Sequence, residues 1–318
     1  MRPEFVKRAA MLAVCCLSLA GAFALVSCSN MSGGDRAFAH GLGEDDPDPK
    51  LNPMFAMGPF PLPPGARVQR NIAYGGDPRQ QLDVYIPADA RNAPAILMVH
   101  GGGWRRGNKQ LWRVVKNKVT HWVGRGYVFV SINYPMVPES DPLTEAADVA
   151  KALAFVEQHL RSWGGDPHKL ILMGHSAGAH LVSLLTAAPS ISERAGAQPW
   201  LGTVALDSAA MDVTQIMREP HYRLYDEAFG SDPAYWREAS PIDRLQGKPV
   251  APILMVCSAR RSNSCPQARA FAAKVAGFGG RAEVQPEDLT HAEINDLLGT
   301  PRPYTTHVDD FLHSLGLP

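Results

Sequence analysis

Five consecutive residues carry the clearest chemical signal in this chain: Gly174-His175-Ser176-Ala177-Gly178. They follow the apolar run Leu170-Ile171-Leu172-Met173 and open the small-residue stretch Ala177-Gly178-Ala179-His180-Leu181-Val182, so a strand is expected to turn sharply into a helix with Ser176 at the turn. Glycines on both sides let the backbone accept strained angles and let neighbouring chain pack close, which holds the hydroxyl out above a sheet. Ser176 is therefore the expected nucleophile. A second apolar run, Ala95-Ile96-Leu97-Met98-Val99, ends in His100-Gly101-Gly102-Gly103-Trp104. The main-chain N–H groups of Gly102 and Gly103, unobstructed by side chains, can aim at an acyl oxygen, and the Ala177 N–H is the expected third donor. A hydroxyl nucleophile beside such donors points to acyl transfer.

These segments, together with Asn133-Tyr134-Pro135, resemble the α/β-hydrolase superfamily on its hormone-sensitive-lipase-like carboxylesterase side. The likeness runs from about Ile72 to Leu315. Gln81-Leu82-Asp83-Val84-Tyr85-Ile86-Pro87 is similar to the family's early strand, and Gly165-Asp166-Pro167 to its helix-to-strand connector. GHSAGAHL also resembles arylformamidases, which makes hydrolysis of an N-formyl aromatic amide the alternative activity. A hydrolase fold kept as a non-catalytic binding module is the rival from another class.

Serine needs a base, and the superfamily orders its triad as serine, acid, histidine along the chain. His291, in Leu289-Thr290-His291-Ala292-Glu293, follows the last expected strand, and Thr290 and Glu293 stand at capping-box spacing, so a helix start is expected to present the imidazole. The acid is where the chain departs from its relatives. The loop after the seventh expected strand reads Cys257-Ser258-Ala259-Arg260-Arg261-Ser262-Asn263-Ser264-Cys265 and holds no carboxylate. Two candidates remain, Asp207 just after the sixth strand and Asn263 in the usual region, and the reading favours Asp207. His100, His175 and His180 are read as packing or loop-shaping groups.

The elements that must position these groups follow from alternating patterns. Strands are expected near Val68 to Tyr74, Gln81 to Ile86, Ala95 to Val99, Tyr127 to Ile132, Leu170 to Met173, Gly202 to Leu206, Ile253 to Cys257 and Ala282 to Gln285, with helices between them. That is an α/β fold with a mostly parallel eight-stranded sheet covered on both faces. Between Asp212 and Val250 the chain is aromatic and proline-punctuated, an expected helical insertion after strand 6 near the active-site mouth.

At 318 residues one catalytic domain, 68–318, is the economical assignment. Acidic and basic side chains balance at 31 each, and no basic stripe with interleaved aromatics occurs, so nucleic acid is not an expected partner. The expected partner is a small-molecule ester, and neither a metal nor an organic cofactor is called for. Arg2, Lys7 and Arg8 precede an apolar stretch from Ala9 to Val26, the form of an export leader over 1–28. Leu25-Val26-Ser27-Cys28 resembles a bacterial lipobox, which would place a lipid on Cys28 and attach the protein to a membrane only through that anchor. Ordinary cleavage behind Ala22-Phe23-Ala24 would release it instead, and both outcomes take it out of the cytoplasm. Residues 29–67, rich in Gly, Pro and Asp, read as a flexible tether in which Phe55 and Phe60 can dock locally. Cys257 and Cys265 are then the only cysteines of the folded domain, and in an oxidising compartment they are expected to form a disulfide.

Overall fold

The computed structural model describes residues 56–318; the expected leader, Cys28 and the first part of the expected tether lie outside them. Among the described residues no helix is long and apolar enough to cross a membrane. The eight strands are β1 (Arg67–Ala73), β2 (Gln81–Ile86), β3 (Ala93–Val99), β4 (Val128–Ile132), β5 (Gly165–His175), β6 (Gly202–Leu206), β7 (Ile253–Ser258) and β8 (Ala282–Glu287). They form one sheet in the order β1-β2-β4-β3-β5-β6-β7-β8. β2 runs antiparallel to both β1 and β4, and the remaining pairs are parallel. β5 begins earlier than its apolar run because Gly165 pairs with Ala93 before an irregularity brings Leu170 opposite Ala95.

The central strands read as unbroken apolar runs because both of their faces are covered. On β3, Ala95, Leu97 and Val99 point into one apolar cluster, while Ile96 and Met98 point into the other. The first cluster is closed by α2 (Pro142–His159) and α3 (Ala177–Ala187). The second is closed by α1 (Trp112–Lys118) and α11 (Pro303–Ser314). α2 starts as its sequence dictates, with the Asp141 carboxylate accepting from Thr144 N–H at 2.9 Å and Pro142 in the first turn. After α4 (Ser190–Arg194) and β6 comes the expected insertion, built of α5 (Val213–Arg218), α6 (Arg223–Phe229), α7 (Pro233–Ala239) and α8 (Pro241–Arg244). α9 (Ser264–Gly277) covers β7 and β8, and α10 (His291–Asp296) follows β8.

The described end of the tether segment lies against the domain. Phe60 is buried and stacks on Tyr85 with ring centroids 6.0 Å apart, and Ala56 C=O accepts from Trp112 N–H at 2.9 Å. Phe55 is outside the described residues.

Candidate active site

The turn from β5 into α3 is strained at one residue: Ser176 has φ +56° and ψ −118°, a region that costs on the order of 1–3 kcal/mol for a residue with a side chain. Its surroundings dictate this. Ser176 N–H donates to Leu206 C=O at 2.9 Å, extending the β5–β6 ladder into the turn. A Cβ on Gly178 would collide with the carbonyl groups of Val99 and His100, so only glycine lets the start of α3 pack against the end of β3. The nucleophile strand and the strand leading to the oxyanion loop are locked together there.

His291 is the first residue of α10. Thr290 Oγ accepts from Glu293 N–H while the Glu293 carboxylate accepts from Thr290 N–H, the reciprocal cap that its spacing predicts. At the far end of α10, Lys118 Nζ donates to Asn295 C=O at 2.6 Å and to Asn295 Oδ1 at 2.9 Å. Burial pulls the Lys118 ammonium down to about 7. The helix that presents the imidazole is thus fixed at both ends.

His291 Nε2 lies 3.0 Å from Ser176 Oγ, positioned to accept the hydroxyl proton, and Nδ1 lies 2.6 Å from Asp207 Oδ2. The carboxylate accepts the Nδ1 proton, which leaves Nε2 bare as a base requires. Asp207 is fully buried and sits at φ +52° in the turn after β6. Its other oxygen, Oδ1, accepts from Ser258 N–H at 2.7 Å and from Ser264 Oγ–H. Arg261 Nη1 donates to Oδ2 at 2.8 Å. Burial by itself would raise this carboxyl, but the bond from His291 and the Arg261 charge prevail and hold it well below the usual carboxylate range. Arg261 Nη1 also stands 3.0 Å from His291 Nδ1; both are donors, so the two share the Asp207 oxygen rather than bonding to each other.

Ser258 ends β7, Arg261 lies in the loop after it and Ser264 opens α9, so all three stand within the segment where a carboxylate is missing from the sequence. Cys257 and Cys265 close that loop as a disulfide, with Cα atoms 5.1 Å apart. Asn263 is the residue just before α9, and among the described residues its side chain makes no bond to His291. The loop that lacks an acid therefore supplies a cradle for one carried by the neighbouring strand.

The oxyanion loop takes its shape from Gly102 at φ +125° and Gly103 at φ +61°. Among the described residues the N–H groups of Gly102, Gly103 and Ala177 have no acceptor within the protein. Ala177 N–H is one of the orphan donors of the first turn of α3, where the helix dipole also favours negative charge. Trp104 anchors the loop. Its buried indole N–H donates to His180 Nδ1 at 3.2 Å, and its ring meets Phe229 at 4.9 Å and Tyr225 at 5.8 Å. His180 Nε2–H in turn donates to Ala239 C=O at 2.7 Å. Burial pulls His180 down to about 4, so it is neutral near pH 7 and can serve as acceptor and donor at once. Arg105 pairs with Glu227 across the same junction, and Leu224 sits 3.9 Å from where a Cβ on Gly103 would be. The insertion thus borders the oxyanion loop directly.

Of the residues singled out in the sequence, Ser176, His291, Asp207, Gly102, Gly103 and Ala177 converge on one site, and Cys257–Cys265 lies behind it. Arg261, Ser264, Trp104 and Lys118 complete it without a local sequence signal, since each acts through a partner distant in the chain. Among the described residues no group of three His, Cys, Asp or Glu side chains is arranged to hold a metal ion.

The BD-FAE family matches residues 82–256, more than half of the chain. The chain is 29% identical to esterase LipQ of Mycobacterium tuberculosis, an alignment covering 76% of this chain and 61% of that protein. It is 32% identical to a probable isoprenylcysteine alpha-carbonyl methylesterase of Oryza sativa subsp. japonica, over 42% of this chain and 31% of that protein. The chain therefore spans less than two thirds of the length of these curated relatives. Among solved structures, esterase B from Lactobacillus rhamnosis superposes with a TM-score of 0.64 at 19% identity, covering 80% of this chain and 87% of that one. Thermogutta terrifontis esterase 2 phosphonylated by sarin gives 0.64 at 23% identity, with coverage of 80% and 97%. Both structural likenesses speak to the fold.

Proposed function

The chain belongs to the BD-FAE family and has the α/β-hydrolase fold, and we propose that it is a serine carboxylesterase acting on small-molecule carboxylic esters. One observation carries this reading: Ser176 Oγ, His291 Nε2 and Nδ1, and Asp207 Oδ2 form a continuous chain at 3.0 and 2.6 Å beside three main-chain donors that have no acceptor among the described residues. Ser176 Oγ attacks the ester carbonyl carbon as its proton passes to His291 Nε2, and the oxygen that becomes negative faces the N–H groups of Gly102, Gly103 and Ala177. Asp207 stabilises the imidazolium so formed. The C–O bond to the alcohol then breaks, His291 returns the proton to the leaving oxygen, and an acyl-Ser176 remains. Water, deprotonated by His291, releases the acid by the same steps in reverse order. Each oxyanion donor in such a site is worth on the order of 10²–10³ in rate.

The names of the relatives support the reading, several being esterases or carboxylic ester hydrolases. The aromatic insertion beside Gly103 favours an apolar acyl or alcohol part. The test is an assay of residues 56–318 with short and long acyl esters and an N-formyl anilide, beside labelling with a fluorophosphonate. Ester hydrolysis and labelling that both vanish in Ser176→Ala are expected. Absent labelling in the wild type, or labelling that survives Ser176→Ala, overturns the proposal, and preferential cleavage of the anilide moves the activity to formamide hydrolysis.

We also propose that the enzyme is exported and anchored through lipid on Cys28. The Arg2-to-Cys28 leader supports this, as does a structural disulfide, a bond that persists in oxidising compartments. Incorporation of labelled palmitate by the full chain, lost in Cys28→Ala, is the expected result. Incorporation that survives the substitution, or none in the wild type, excludes the anchor.

A further inference from the structure

The residue next to the nucleophile faces the base. His175 is buried at 6% exposure, its Nε2 lies 3.0 Å from the main-chain oxygen of His291, and the two imidazole rings are 4.5 Å apart between centroids at 35°. A carbonyl only accepts, so Nε2 carries the proton. Nδ1 is then bare and packs against Gly101, where an added Cβ would stand only 3.2 Å from it. The ring is therefore held between the oxyanion loop and α10 with its donor aimed at one atom of the catalytic histidine.

We propose that His175 is a positioning residue for the catalytic base: its Nε2–H and its ring face fix the main chain and imidazole of His291 within reach of Ser176. Asp207 sets the rotation of the His291 ring but does not hold its Cα. That Cα begins a helix of only six residues, too short to be rigid by itself. The Thr290 cap and the Lys118 bonds to Asn295 hold the two ends of that helix, and His175 adds a restraint on the His291 main chain itself. Because it is bonded to Ser176 through a single peptide unit, the strained elbow sets the nucleophile and the anchor of the base together. A drift of about 1 Å between them would break the 3.0 Å contact, and misplacements of that size cost about 10²-fold in rate. Burial, and next the His291 charge, drive the proton affinity of His175 well down. A neutral ring is what the site needs, because a second cation 4.5 Å away would oppose the imidazolium formed during attack.

This inference rests on the esterase reading of the site, and the test separates the two. His175→Phe keeps the ring and removes the donor; His175→Gln places an amide N–H near the same carbonyl; His175→Asn is polar but too short to reach it. With a p-nitrophenyl ester as substrate, kcat is expected to fall about 10²-fold in His175→Phe and His175→Asn with KM little changed. His175→Gln is expected to stay within about tenfold of the wild type. The downfield proton resonance of His291 Nδ1–H, read by NMR without any substrate, is expected to shift or broaden in the Phe and Asn variants and to persist in Gln. Wild-type kcat and resonance in His175→Asn, or a Gln variant as impaired as Asn, overturns the proposal even if His175→Phe fails to fold. A wild type inert toward esters would sink the esterase reading, while the resonance would still report whether His175 holds His291.

Discussion

Arg261 Nη1 lies 2.8 Å from Asp207 Oδ2, so the loop after β7, which has no carboxylate of its own, grips the carboxylate at the end of β6. Ser258 N–H and Ser264 Oγ–H complete that grip on the other oxygen. The acid follows the strand that lies between the nucleophile strand and β7, and the segment after β7 is its clamp.

Replacing Asp207 by Asn keeps the shape but offers an amide where the imidazole needs an acceptor. Steady-state kinetics of Asp207→Asn should show kcat lowered by about 10³–10⁴-fold with a folded protein, because the His291 tautomer is no longer fixed. Asn263→Ala should stay close to the wild type. If Asn263→Ala proved the more damaging of the two, the acid would have to be reassigned.

Opening the disulfide should loosen the clamp. Cys257→Ser combined with Cys265→Ser removes a closed loop of a size that stabilises by about 2–3 kcal/mol, a loss measurable by guanidinium unfolding. Activity should fall several-fold as well, since Arg261 and Ser264 lie inside that loop. Thiol titration of the unfolded, unreduced domain should find neither cysteine free. Full activity after complete reduction would show that Asp207 needs no such restraint.

The Trp104 indole joins the oxyanion loop to His180, so Trp104→Phe preserves most of the packing and deletes one buried hydrogen bond. The bare His180 Nδ1 should cost about 1–3 kcal/mol of stability. The loop should hold its donors less well, lowering kcat by about tenfold with a small change in KM. Equal kcat in Trp104→Phe would mean that ring packing alone shapes the loop.

Glu145 on α2 is fully buried, and among the described residues neither carboxylate oxygen has a hydrogen-bond partner; the nearby Val137 N–H is committed to Trp104 C=O at 2.9 Å. Burial pushes its pKa up to about 9 from the ordinary 4.5. The folded state then binds one more proton than the unfolded chain between those values. Stability from this group is fully present below pH 4.5 and is lost as pH rises through 9. Glu145→Gln removes that dependence. Its stability relative to the wild type should grow by up to about 1.4 kcal/mol per pH unit from pH 5 to pH 9, read from denaturant unfolding. A difference that does not change with pH would show that Glu145 is ionised in the fold.

The sheet was legible because each central strand is a dense apolar run ended by Gly, Pro or a charged turn, and burial on both faces leaves no other use for such a run. Ser176 and the oxyanion glycines were legible for a related reason: a strained turn and a close main-chain approach each demand particular residues in a fixed local order. Asp207 was a choice between two candidates, and its geometry favours it through partners 51, 54 and 57 residues away in the chain. Contacts of that range leave no periodic or local mark. The same holds for His175, which reads as an ordinary variable position of the motif until α10 is seen beside it. Gly165 was not assigned to β5 because its pairing with Ala93 depends on a register shift between the strands, not on apolar character.

Ser176 N–H bonds to Leu206 C=O and Asp207 N–H bonds to Val256 C=O, so the nucleophile and the acid are fastened to adjoining rungs of the parallel ladder through β5, β6 and β7. Heat cannot part those two residues by fraying a surface loop; the middle of the sheet would have to come undone first. Their spacing is inherited from strand register, and so it should outlast every peripheral rearrangement that the molecule can survive.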